Sequence, residues 1–427
     1  MAKRIAFQTL GCRLNQHETD ALAAKFTKAG YEIVPFKEEA DVYLINTCSV
    51  TGKSDRKSRN IINRARRESD ALVVVTGCYV DGSRDKLEED GRTYIIENDK
   101  KAHIFELVDS YFSDDKILPS SVEADRFGFS ADENPLHTRA LVKIQDGCEN
   151  FCTYCIIPYV RGKAVSRDLN EIVEQTEQLI ESGFHEVVLT GINISRYSFE
   201  DFTFADVVER ILELDGDFRL HIPSMEPENV SDKFIELLKH PKLCQHIHLC
   251  LQSGNDRILK AMNRKYDTEL FLNVAKRIRE INPLFNFTTD LIVGFPGETD
   301  EEFESSINVC KEVEFGHIHT FKYSKREGTP AAKMKEQVDE KIKTARSEQI
   351  RQLNEELKLQ YRQKFIGETQ RVLVEKIKDG VAKGYSQYYL PVQFECDDSV
   401  RENSFVDVVV KGIENVKDEP ILSAVIS

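Results

Sequence analysis

The sequence has no apolar run long enough to cross a bilayer; its longest, such as Ala71–Thr76, are strand-sized. Its opening residues, MAKRIAFQTLGC, lack the apolar core of a secretory signal, so a cytoplasmic protein with no membrane partner is expected. Positive charge is scarce as well. There are 58 Lys and Arg against 73 Asp and Glu, a formal charge of −15. That balance argues against binding nucleic acid through bulk electrostatics and leaves only local basic patches for the purpose. No long-period repeat or low-complexity tract is present, so a repeat array is not expected.

What the chain does have is 427 residues, 41% hydrophobic and 31% charged, enough for two or three globular domains. Ten cysteines in a cytosolic chain point to metal or redox chemistry, since that compartment keeps thiols reduced.

The first third alternates strands and helices. Ile5–Gln8, Asp41–Asn46 and Ala71–Thr76 read as strands. Asn15–Gly30 reads as a helix with Asn15 and Glu18 spaced like a capping box, and a basic helix runs from about Asp55 to Arg67. Strands separated by helices imply a doubly wound parallel sheet. Cys12, Cys48 and Cys78 each fall just past the C-terminal end of one of these strands. Open parallel sheets bind ligands at that edge, so three thiols distant in sequence should converge there. The alternative is three unrelated small buried residues, a common fate of free cysteine.

Residues 115–136 are polar with scattered Gly and Pro and read as a linker. Six strand–helix cycles follow, with strands at Leu141–Gln145, Glu186–Thr190, Phe218–Ile222, His246–Leu251, Phe287–Val293 and His317–Tyr323. This pattern implies a partial (β/α)6 barrel with its chemistry at the C-terminal strand ends. A charged helical stretch over 336–365 ends at Gly367, and short alternating runs then predict a small β-barrel. The expected layout is α/β: a sheet domain over 1–114, the linker, a barrel over 137–365 and the β-module over 366–427.

Cys148, Cys152 and Cys155 form a C-x3-C-x2-C motif directly after a barrel strand. Three thiolates can ligate three irons of a four-iron cube and leave the fourth iron open to a chelating ligand. Structural zinc, the alternative, wants four closed ligands, and no fourth Cys or His is nearby.

This motif, with Phe151 and Tyr154 inside it, resembles the signature of the radical S-adenosylmethionine (SAM) superfamily. There the open iron binds SAM, whose reductive cleavage yields a 5′-deoxyadenosyl radical, and the protein's task is positioning. The segments TLGCRLNQHETD, NTCSVT, VTGC, KIQDGCENFCTYCIIPYVRG, HIHLCLQSGNDRILKAMNRKY, TDLIVGFPGET and YSKREGTPAAKM resemble, in order, the motifs of the radical SAM methylthiotransferases. The resemblance implies a second [4Fe-4S] cluster on Cys12, Cys48 and Cys78, and a C-terminal TRAM domain. TLGCRLNQHET and FKYSKREGTPAAKM look most like the branch that acts on N6-threonylcarbamoyladenosine of tRNA. It implies methylthiolation of C2 of that base at position 37, beside the anticodon, with two SAM molecules and two [4Fe-4S] clusters. The partners implied are the tRNA anticodon arm, an electron donor such as flavodoxin or ferredoxin, and a sulfur source. The rivals are the isopentenyladenosine tRNA branch and the ribosomal-protein aspartate branch. From another class comes an RNA-binding redox sensor without turnover.

The resemblance also assigns SAM contacts to Tyr154, Thr190, Gly191, Asn193, Glu226, Gln252, Ser253 and Gly294, a structural turn being the alternative. Cys244, Cys250, Cys310 and Cys396 lack cluster spacing and read as ordinary thiols. The histidines of HIHL and HIHT read as core residues. Lys53–Arg67 carries seven basic residues and one acid. Ser58, Ile61, Ile62 and Ala65 should face the sheet, and Arg56, Asn60, Asn63 and Arg67 should face outward. That outer face is either a solvated surface or an RNA contact through Arg56 and Arg67. The C-terminal module has seven basic and eleven acidic side chains, so an RNA role for it rests on the resemblance alone.

Overall fold

Val42–Thr47 and Leu72–Gly77, within or overlapping two of the segments that read as strands, are buried at every position, as parallel strands covered by helices on both faces must be. The computed structural model describes residues 2–68, 70–87, 90–113, 115–129, 138–416 and 419–427. Five parallel strands, β1 (Arg4–Thr9), β2 (Glu32–Val34), β3 (Val42–Thr47), β4 (Leu72–Gly77) and β5 (Thr93–Ile96), form one sheet in the order β2-β1-β3-β4-β5. In this order the chain reverses direction between β1 and β3, and the crevice at their C-terminal ends is the natural ligand site.

The helices are α1 (Arg13–Lys28), α2 (Gly52–Glu68), the short α3 (Cys78–Gly82) and α4 (Ile104–Tyr111). Helix α1 departs from the expected capping box. It begins two residues earlier, with Cys12 as its N-cap, and Asn15 and Glu18 are both buried inside it. Asn15 Nδ2 instead donates to the carbonyls of Leu10 and Thr47, each at 2.9 Å, tying the ends of β1 and β3 together. Helix α2 behaves as its pattern requires. Ser58, Ile62 and Ala65 are buried, while Arg56, Asn60, Asn63 and Arg67 are exposed.

The described part of the expected linker is not free. Phe129 packs into the core of the sheet domain, Asp125 N–H donates to Asp99, and Arg126 donates to the carbonyls of Arg161 and Lys163. An aromatic side chain removed from water outweighed the polar character of its neighbours. Residues 130–136 of that segment lie outside the described residues.

The central unit has six parallel strands: Ala140–Lys143, Glu186–Thr190, Arg219–His221, His246–His248, Asn286–Val293 and His317–Lys322. They form two three-stranded sheets joined by the parallel bridges Leu220–Leu243 and Met225–Leu249, making the expected half-barrel. Its hydrophobic core lies between strands and outer helices. Along Asn286–Val293, Phe287, Thr289, Leu291 and Val293 are buried while Thr288, Asp290 and Ile292 are less so, the period of two that separates core from lumen. A 24-residue helix, Glu340–Gln363, leads to a closed five-stranded barrel over Thr369–Ile426. Tyr361 and Phe365 at the end of that helix join the barrel's own core.

Candidate active site

The three N-terminal cysteines stand at the C-terminal ends of the adjacent strands β1, β3 and β4. Two glycines bring those ends together. Gly11 has φ +102°, and a Cβ there would stand 2.9 Å from the Cys48 sulfur. Gly77 has φ +100°, and a Cβ there would meet the Thr47 carbonyl oxygen at 2.4 Å. Ser58 of α2 donates to the Cys48 carbonyl at 3.1 Å, so the basic helix is tied to this turn.

The C-x3-C-x2-C loop is held from below by the helix Asp256–Ala261 and the turn after it. Thr153 N–H donates to Met262 and its hydroxyl to Ala261, while Asn263 donates to the carbonyls of Asn150 and Phe151. Cys148 N–H reaches back to Gly162 at 3.1 Å. Arg264 Nη1 donates to the Cys152 sulfur at 3.2 Å, and the same guanidinium pairs with Glu226. Sequence reasoning missed Arg264; it sits within the NRKY segment, but nothing local distinguishes it from a surface arginine.

The two thiol sites are linked by packed helices. The helix α5 (Ile157–Arg161), which directly follows Cys155, packs against α3, which begins at Cys78. Val160 of α5 lies against Gly82 of α3. Fully buried Arg161 carries the connection: Nε donates to the Cys78 sulfur at 3.4 Å, Nη2 to Asn15 at 2.8 Å, and Nη1 to Asp146 at 3.0 Å. Glu18 joins the same cluster, 2.5 Å from Lys101 and 2.9 Å from Lys143. Burial alone would raise Glu18, but Lys101, Lys143 and Arg161 together hold its carboxyl well below the usual range. Asp146 is likewise held down to about 2: burial opposes ionisation, and Lys143 and Arg161 overcome it. On the other face of the crevice, Arg326 from the barrel donates to Ser49 at 2.6 Å and pairs with Asp55 of α2.

These thiols suit iron–sulfur clusters. Burial raises the Cys78 thiol, although Arg161 and Lys101 pull it back, and burial pushes Cys155 up to about 12. A buried thiolate needs cationic partners, and cluster irons are such partners. Among the described residues no three His, Cys, Asp or Glu close around a single ion. A cube takes each thiolate on a different iron, which keeps the sulfurs apart.

The residues expected to touch SAM form a partial ring. Thr190, Gly191 and Asn193 follow the second barrel strand, where the Gln145 side chain accepts from the amides of Ile192 and Asn193. Glu226 N–H donates to Ser195 beside them. Gln252, at φ +62°, and buried Ser253 follow the fourth strand, and Tyr154 is enclosed under the cysteine loop. Gly294 directly follows the fifth strand; its amide donates to Glu298, and a Cβ there would strike the Lys343 stem. Arg56 and Arg67 lie on the exposed side of α2.

Of the barrel histidines, His246 is buried as expected and so is His221, while His248 and His317 are half-buried and His319 is exposed. His221, His246, His248, His317 and His319 line a cavity of about 900 Å³ in the half-barrel lumen, together with Cys12 and Arg13 of the sheet domain. Their period of two was visible, but which side of the strand faced the lumen was not. Cys244, Cys250 and Cys310 are buried thiols pushed up to about 12 by desolvation, as ordinary core cysteines would be.

Residues 142–310 match the Radical SAM superfamily and residues 4–96 match the Uncharacterized protein family UPF0004. The fold agrees with solved radical SAM structures. The cobalamin- and [4Fe-4S]-bound methyltransferase TsrM of Kitasatospora setae superposes with a TM-score of 0.53 at 14% identity, covering 90% of this chain and 81% of that one. Fold and site thus define an iron–sulfur enzyme of the radical SAM class. The threonylcarbamoyladenosine tRNA methylthiotransferase MtaB of Bacillus subtilis is 38% identical over 92% of this chain and 90% of its own. That of Thermotoga maritima is 34% identical over 92% and 91%. A tRNA-2-methylthio-N(6)-dimethylallyladenosine synthase of Acetivibrio thermocellus is 32% identical over 93% and 86%. The chain belongs to the radical SAM methylthiotransferases, in the branch of the threonylcarbamoyladenosine tRNA enzymes. Such an enzyme uses SAM and [4Fe-4S] clusters. Among the described residues no helix is long and apolar enough to cross a membrane.

Proposed function

We propose that this enzyme attaches a methylthio group to C2 of N6-threonylcarbamoyladenosine at position 37 of tRNA. The observation that carries the reading is the packing of α3, which begins at Cys78, against α5, which follows Cys155, with Arg161 of α5 donating to the Cys78 sulfur. Cys148, Cys152 and Cys155 would hold the cluster that cleaves SAM, and Cys12, Cys48 and Cys78 the auxiliary cluster. When bound, these groups supply a carbon-centred radical and a methylated sulfur.

The protein's own residues do the positioning. Arg264 braces the Cys152 sulfur and holds the Glu226 carboxylate beside the Thr190–Asn193 turn, where the polar end of SAM would lie. Arg161 and the Glu18 cluster keep the two cysteine loops in register and close water out between them. Arg326 holds α2 against the crevice, so that Arg56 and Arg67 would meet anticodon-arm phosphates. A low-potential donor such as flavodoxin or ferredoxin and a source of sulfur complete the reaction.

Mass spectrometry of tRNA nucleosides from a strain lacking the gene tests the reading. The 2-methylthio derivative of threonylcarbamoyladenosine should vanish while the unmodified form accumulates. Loss of 2-methylthio-isopentenyladenosine, or of a ribosomal-protein modification, would assign the enzyme to another branch.

A further inference from the structure

Cys12 lines the lumen cavity, so a sulfur acceptor bound there would lie beside one ligand of the auxiliary site. Two features of its lining are unexplained by folding. Arg13, the first residue of α1, is exposed to the cavity and has no ion-pair or hydrogen-bond partner among the described residues. Its charge nonetheless reaches the lining, because it helps lower His221, His246 and His319 after burial has done most of the work. The second feature is His221, fully buried, whose Nδ1 makes no hydrogen bond and lies 3.9 Å from the Glu186 carboxylate.

The cavity's other arginine is matched. Arg362 pairs with Glu419 at 3.0 Å, and Asp290 lies 3.4 Å from His248 Nε2. Burial and the neighbouring charges hold His221 and His246 neutral, and the two rings bond each other at 2.9 Å under the stacked ring of Tyr389. Neutral imidazoles offer directional hydrogen bonds without countering an anion, so among the described residues Arg13 is the one cation lining this cavity left for an incoming group.

We propose that Arg13 receives the carboxylate of the threonylcarbamoyl group, and that the neutral histidines and Tyr389 line the rest of that substituent. This inference rests on the substrate reading above. The threonine of the substituent is joined through its amine, so its α-carboxyl is free and ionised at neutral pH. An ionised carboxylate enters a partly dry cavity only if a cation meets it. The same arrangement selects against a base bearing an uncharged isoprenoid chain, which would leave Arg13 desolvated and unpaired.

The test uses the intact enzyme and three anticodon stem-loops of one sequence: one with threonylcarbamoyladenosine at position 37, one with its carboxylate methyl ester, and one with plain adenosine. Wild-type protein should prefer the carboxylate form over the ester by about 10- to 100-fold, the range of a charge-assisted hydrogen bond. In Arg13→Gln that ratio should fall toward one, and Arg13→Lys should restore part of it. Iron content and circular dichroism of each variant separate this effect from damage at neighbouring Cys12. An unchanged ratio in Arg13→Gln with intact iron overturns the role of Arg13, even if nucleoside analysis upholds the substrate. A wild-type protein that ignores the carboxylate also overturns it. If the deletion strain retains its methylthiolated threonylcarbamoyladenosine as well, the substrate reading itself has failed.

Discussion

Glu18→Gln removes one charge and changes almost no volume, yet its expected effect is large. Glu18 is fully buried and accepts from Lys101 at 2.5 Å and Lys143 at 2.9 Å, with Arg161 Nη1 at 3.4 Å. Lys143 and Arg161 are then left to share Asp146, and Lys101 loses this partner. Breaking a buried pair from one side costs about 3–5 kcal/mol, because the partner charge stays desolvated. The sheet domain supplies Glu18 and Lys101, and the barrel supplies Lys143, Asp146 and Arg161, so this cost falls on the contact between them. Limited proteolysis and thermal unfolding should show the variant opening at lower temperature, with cleavage between the two units. The pH dependence has a defined sign. Asp146 titrates near 2 in the fold against 3.8 in the open chain, so it adds stability above pH 3.8 that fades toward pH 2. That amounts to about 2 kcal/mol. Glu18, also held down, adds to the same acid-labile window in the wild type and nothing in the variant. A Glu18→Gln protein with wild-type melting and acid stability would show that the cluster is hydrated, and would refute the argument.

Three other outcomes are expected. Cys152→Ala should abolish SAM cleavage, whereas Cys48→Ala should retain reductive cleavage and lose methylthiolation; wild-type protein should hold about eight irons and each variant about half. Gly77→Ala forces a Cβ onto the Thr47 carbonyl at a positive φ, so Cys78 should shift. The variant should lose about 1–3 kcal/mol of stability and roughly four irons, read by melting and iron assay. Reversing Arg56 and Arg67 to Glu should weaken tRNA binding and flatten its salt dependence by roughly one unit of slope per lost phosphate contact. An unchanged slope would leave α2 as a solvated surface.

Much of the chemistry was legible because it depends on local order. Strand-length apolar runs ending in Gly-Cys, Thr-Cys and Gly-Cys placed Cys12, Cys48 and Cys78 at the ends of β1, β3 and β4. A sheet's binding edge follows from strand direction alone. The six barrel strands and the inward face of α2 were readable for the same reason, since period two and period 3.6 are properties of short segments. Polar partners are another matter. Asn15 and Glu18 have capping-box spacing, but Glu18 finds Lys101, Lys143 and Arg161 at separations of 83, 125 and 143 residues. Nothing local ranks such pairs above a helix cap. Phe129 likewise left an apparent linker for a core that only the assembled sheet provides. The lumen histidines and Arg13 depended on the tertiary fold most of all. Alternation shows that His246 and His248 share one side of a strand, but barrel curvature decides whether that side meets packed helices or an open cavity. Arg13 is a helix-start arginine in the sequence; it becomes an unmatched charge beside Cys12 only when three domains close around it.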